Sequence, residues 1–241
     1  TLPSRGLGDV YKRQLDNMGM RSILKPAKDV PITWWSSTDP MESRPKPSTL
    51  LILCVGLWIF GTGDAVIVAA GVGNTPWTVL AEGLALMMSR TIGQATFFVS
   101  IVVLLLWIPL REKPGIGTIL NAILIAAAIE YMLPILPTPE GALESMLQVI
   151  GGIALVGIGS GIYLTANLGP GPRDGWMTGM QRASGYPIGN VRGAIEISVV
   201  IIGWSLGGTI GIGTVIFAVM IGPTVAICLN IAGEIGRQKG Q

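Results

Sequence analysis

The stretch Phe97-Phe98-Val99-Ser100-Ile101-Val102-Val103-Leu104-Leu105-Leu106-Trp107 carries no charge and no turn residue, and its reading decides the fold. It sits inside an apolar run from about Gly93 to Leu110. Such a run approaches the roughly 20 residues that a helix needs to cross about 30 Å of hydrocarbon. The strict alternation of a barrel strand is missing. Five further runs have the same character: about Thr49 to Val72, Thr118 to Leu136, Met146 to Leu168, Ile188 to Leu206, and Thr214 to Ile235. The expectation is therefore an all-α polytopic membrane protein with six transmembrane helices.

The composition agrees. Half of the 241 residues are hydrophobic and 12% are charged, with a mean hydropathy of +0.61, outside the range of a soluble globular domain. The absence of histidine removes imidazole acid-base chemistry, Ser-His triads and imidazole metal ligands. Cys54 and Cys228 stand alone in separate apolar runs, so neither a disulfide framework nor a thiolate metal site is expected. No cofactor, metal, enzymatic activity or nucleic-acid partner is expected. The partner that the composition does imply is the lipid bilayer.

Lys and Arg are retained on the cytoplasmic side of spans. With the N-terminus inside, six spans place Arg44, Lys46, Arg111, Lys113, Arg173, Arg182, Arg192, Arg237 and Lys239 in or near cytoplasmic segments, and only Arg90 outside. Both termini are thus expected in the cytoplasm.

Displacing the chain along itself by 96 residues superposes Pro76 on Pro172, Gly83 on Gly179, Ile92-Gly93 on Ile188-Gly189, and Gly115-Ile116-Gly117-Thr118 on Gly211-Ile212-Gly213-Thr214. Upstream, an offset of 98 pairs Gly61, Gly63, Gly71 and Gly73 with Gly159, Gly161, Gly169 and Gly171, as though Asn74-Thr75 were inserted in the first copy. Three spans per copy invert the second copy relative to the first. The expected organisation is membrane repeat 1 over residues 49–138, a connecting loop over 139–145, membrane repeat 2 over 146–235 and a cytoplasmic tail over 236–241.

Each copy breaks after its first span at a Gly-x-Gly turn, Gly71 with Gly73 and Gly169 with Gly171, and then holds a segment too short to span. Thr75 before Pro76 reads as an N-cap and first-turn proline, and Asp174 can cap the second segment. Such segments either lie flat as amphipathic helices or dip inward as re-entrant ones.

At the other end, Asp9-Val10-Tyr11-Lys12-Arg13-Gln14 back-translates to a transposase mosaic end, so residues 1–14 read as a sequencing-adapter scar. Residues 15–48 read as a disordered or non-native extension, with Met41 as the expected native start.

The segments Gly61 to Trp77 (GTGDAVIVAAGVGNTPW) and Asn167 to Gly175 (NLGPGPRDG), followed by Asn190-Val191-Arg192 and Glu196, resemble the YczE-type branch of the YczE/YyaS/YitT family. The resemblance implies a bacterial integral protein of the cytoplasmic membrane with a poorly defined biochemical role. Many relatives read Pro-Trp-Asp in the first copy, whereas position 78 here is Thr.

Ionisable groups within spans are costly and invite a functional reading. The candidate intramembrane polar site comprises Asp64, Glu130, Arg192 and Glu196, with Asn121 and Asn167 as possible partners. Arg192 and Glu196, four apart on one helix face, also fit a self-neutralising pair. Arg173 and Asp174 are candidate contacts for a substrate or lipid headgroup. These residues suit a small secondary transporter of an ion, amine or lipid. The alternative is a non-transporting membrane scaffold or regulator acting on a partner protein or lipid, and a second copy of the chain, in a homo-oligomer, is a further candidate partner.

Overall fold

The computed structural model describes residues 30–238. The expected adapter scar and residues 15–29 lie outside that range. Nine α-helices and no strand occur among the described residues. They are α1 (Pro47–Ala69), α2 (Pro76–Met88), α3 (Ile92–Leu105), α4 (Trp107–Leu110), α5 (Ile116–Met132), α6 (Ala142–Thr165), α7 (Pro172–Ser184), α8 (Ile188–Ser205) and α9 (Ile212–Gln238), with a 3-10 turn at Leu133–Ile135. Six stretches are long and apolar enough to cross a membrane: α1, Ile92–Leu110, Ile116–Ile135, α6, α8 and Ile212–Arg237. α6 begins inside the expected connecting loop, and α9 runs past the expected start of the tail.

The short helices begin as the sequence suggested, with one correction. Thr75 caps α2 by accepting from the Thr78 amide at 3.4 Å. Gly171 occupies the N-cap of α7 with an ordinary extended backbone and no side-chain cap. Asp174 does not cap it. Its Oδ2 instead accepts a hydrogen bond from the Tyr163 hydroxyl at 3.1 Å.

α1 and α6 form the most extensive helix pair. They run antiparallel, because Gly56 lies against Gly159 and Tyr163 while Gly63 lies against Gly152 and Val156. A methyl group added to Gly63 would sit 2.7 Å from Gly152 O, and one on Gly159 would sit 2.7 Å from Gly56 O. These contacts are reciprocal at a spacing of 96. The same reciprocity recurs at the bundle ends, where the Gly117 amide donates to Leu168 O at 2.7 Å and the Gly213 amide donates to Val72 O at 2.9 Å.

The spacing of 96 persists upstream, against the expected change to 98. Left-handed backbone occurs at Gly71 and Asn167, Gly73 and Gly169, Ser89 and Gly185, and Arg111 and Gly207. Each pair is 96 apart. Gly61, Gly63, Gly71 and Gly73 therefore correspond to Gly157, Gly159, Asn167 and Gly169. Asparagine tolerates the left-handed region better than most residues, which explains how glycine matching led to the wrong register. Of the four expected turn glycines, Gly171 alone does not adopt positive φ.

Thr33, Trp35 and Ser37 are buried, so residues 33–37 pack against the helices, against the expectation of disorder there. The Trp35 indole is buried and donates to Thr165 Oγ1 at 3.1 Å, Ser36 Oγ donates to Thr165 O at 2.6 Å, and Thr49 Oγ1 donates to Trp35 O at 2.6 Å. Buried Trp→Ala changes cost about 3–5 kcal/mol. Trp35→Ala is expected to lose stability of that order, read as a lowered midpoint of thermal aggregation in detergent. A chain started at Met41 should show the same fall.

Candidate functional site

The chemistry-bearing residues converge on a cavity of about 290 Å³ where α1, α5, α6, α8, α9 and the starts of α2 and α7 meet. It collects six of the eight charged or amide residues expected from sequence: Asp64, Asn121, Arg173, Asp174, Arg192 and Glu196.

Asp64 is held by α1 at 1% exposure, and its Oδ2 has no hydrogen-bond partner. The Arg173 side chain lines the same cavity. Arg173 lies over the Trp77 ring, 5.1 Å from the centroid, and Trp77 meets Trp176 edge-on with centroids 6.1 Å apart. Arg192 Nε donates to Glu196 Oε1 at 2.8 Å, forming the expected pair. Asn121 faces the start of α7, where a methyl on Gly171 would lie 3.1 Å from its Nδ2. Gly171 is thus small because the loop passes close to α5.

Two expected members are elsewhere. Glu130 accepts from Thr91 Oγ1 and lines a separate groove with Arg90, Gln94, Phe97, Phe98 and Tyr131. Asn167 donates from Nδ2 to Ser37 O at 2.9 Å, which ties the N-terminal segment to the end of α6.

Sequence reading missed Trp77, Tyr163 and Ser160, all of which line the cavity. A signal existed for two of them: Trp77 is 96 residues before Arg173, and Ser160 is 96 after Asp64. Tyr163 offered none, because a tyrosine within an apolar run is ordinary packing. The charges are unevenly divided between the copies. Asp64 in the first copy answers to Ser160 in the second, and Arg173 and Asp174 in the second answer to Trp77 and Thr78 in the first.

An unnamed Haemophilus influenzae protein is 41% identical over 211 residues, covering 88% of this chain and 96% of the relative. The shared region therefore reaches upstream of Met41 and includes part of the packed N-terminal segment. The membrane protein YczE of Bacillus subtilis is 31% identical over 175 residues, covering 68% of this chain and 81% of YczE. YyaS of the same organism is 24% identical over 181 residues, covering 73% of this chain and 90% of YyaS. No solved structure matches the chain. A family model of unknown function, DUF6198, matches residues 47–230, and with six helices of membrane-crossing length the chain is a membrane protein of the DUF6198 family, related to YczE.

Proposed function

We propose that this chain is a small secondary transporter of the bacterial cytoplasmic membrane, built from two inverted halves, with both termini in the cytoplasm. The observation that carries this reading is the contact between Trp77 and Arg173. These residues occupy equivalent places at the start of α2 and α7, 96 apart. In an inverted pair of halves the two short helices enter from opposite faces, so such a contact requires both to dip inward. That favours the re-entrant alternative over flat amphipathic helices. Irregular backbone is tolerated at membrane depth where it lines a cavity, and helix starts converging on a site between inverted repeats are a recurrent transporter device. The antiparallel α1–α6 crossing and the reciprocal contacts support the same inversion. The Lys and Arg distribution sets its orientation.

Asp64 and Glu196 are the acids placed to bind a proton or cation during the cycle. Glu130 is not, because it lines the other groove. Arg173 and Arg192 supply guanidinium groups for an anionic part of a substrate. The test is uptake into proteoliposomes under an imposed proton gradient, screened over small ions, amines and lipids. A substrate taken up by the wild type is expected to lose at least tenfold in accumulation on Asp64→Asn. Uptake unchanged in well-folded Asp64→Asn, Arg173→Ala and Arg192→Ala variants would remove the transport path from this cavity and favour the scaffold reading.

A further inference from the structure

The two halves differ at one seam. In the first half α3 and α5 pack together, while their counterparts α8 and α9 make at most a glancing contact. The glycines show that the difference is a true separation. A methyl on Gly93 would meet Ala126 O at 2.8 Å, whereas at Gly189 and Gly222, 96 residues after Gly93 and Ala126, added methyl groups would meet nothing within 4 Å. The small residues that permit a close crossing are present, but the helices stand apart.

Exposure follows the same asymmetry. Thr96 and Ser100 on α3 are 1% and 6% exposed, while the side chains of Arg192 and Glu196, their counterparts on α8, are 51% and 27% exposed. Both also line the cavity, with Phe217, Ile221 and Val225 of α9 on the facing wall. The cavity wall is therefore open along the α8–α9 seam, between two helices of membrane-crossing length.

We propose that the cavity opens sideways through this seam into the hydrocarbon phase and takes the amine headgroup of an amphiphile whose tail stays in the gap. The ligand class follows from charge. The cavity holds Asp64, Asp174 and Glu196 against Arg173 and Arg192, an excess of one acid. Arg192 is engaged with Glu196, Asp174 with Tyr163, and Arg173 with Trp77, whereas Asp64 Oδ2 lacks a donor. An ammonium provides that donor and the missing charge, and the rings of Phe60, Trp77, Tyr163 and Phe217 suit a cation. This rests on the cavity being a ligand site, and not on the ligand being moved.

The test uses a Cys54→Ser/Cys228→Ser background in vesicles, with bimane attached at Glu196→Cys, at Val225→Cys on the facing wall, and at Ser100→Cys on the closed seam. Brominated phosphatidylcholine is expected to quench bimane at 196 and 225 at least twofold, while position 100 remains unlabelled or unquenched. Dodecylamine should relieve the quenching at 225, where all three acids remain, dodecanoate should not, and Asp64→Asn in the same variant should abolish the relief. Quenching by aqueous iodide but not by brominated lipid would overturn the sideways opening. So would absence of both with cross-linking between two chains at 225, which would make the seam an interface between copies. Equal relief by dodecanoate would overturn the amine assignment. None of these readouts measures uptake, so failure of the transporter reading is scored separately.

Discussion

Gly63→Ala and Gly159→Ala are each expected to lower stability by about 1–3 kcal/mol or more, the range for adding a methylene to a packed core. The new methyl on Gly63 would lie 2.7 Å from both Gly152 O and Val156 N, and that on Gly159 would lie 2.5 Å from Phe60 N. These are backbone atoms. No side-chain rotation relieves the overlap, so α1 and α6 must move apart along their main interface. Alanine is otherwise the better helix former by about 0.8–1.0 kcal/mol. Gly151→Ala, one residue before Gly152, therefore makes a sharp control, since its methyl meets nothing within 4 Å. It should leave stability unchanged or raise it. Thermal aggregation midpoints in one detergent measure all three. The two destabilising variants should fall by similar amounts, because the contacts they break are reciprocal.

The second large effect concerns Asp64 and runs in opposite directions for stability and function. A buried polar group without a partner costs about 1–3 kcal/mol, and more when charged, so Asp64→Leu should stabilise the protein by at least that order. The adjoining cavity leaves room for the side chain. The same substitution should abolish uptake and the response to dodecylamine. A stabilised but inactive variant is the signature of a carboxylate kept for ligand or proton binding. A destabilised Asp64→Leu would instead assign Asp64 to a structural hydrogen bond.

Much of the membrane architecture was legible because its determinants are local. Apolar runs located all six spans to within a few residues, and the glycine and proline matches located the short helices. The register upstream of Gly73 was not legible. A left-handed asparagine at position 167 replaces the glycine that a residue match looks for, so Gly71 was paired with Gly169 although its counterpart is Asn167. The N-terminal segment was misread for a related reason: Trp35 is ordered by Thr165 and Thr49, distant partners that leave no local periodicity. At the site, burial and charge marked Asp64, Arg192 and Glu196. The grouping itself depended on tertiary placement, which separated Glu130 and Asn167 from the others and brought in Trp77 and Tyr163.

The inverted relation of the halves is tested most directly by the side from which the ends of the short helices are reached. Met88 and Ser184 are equivalent, 96 residues apart, and both exposed. In a Cys54→Ser/Cys228→Ser background, Met88→Cys and Ser184→Cys would be labelled with a membrane-impermeant maleimide in spheroplasts and in inside-out vesicles. The prediction is opposite access, with position 88 labelled in spheroplasts and position 184 in inside-out vesicles. Labelling of both positions from one side would contradict inversion, and with it the assignment of the Trp77–Arg173 contact to a cavity between two re-entrant helices.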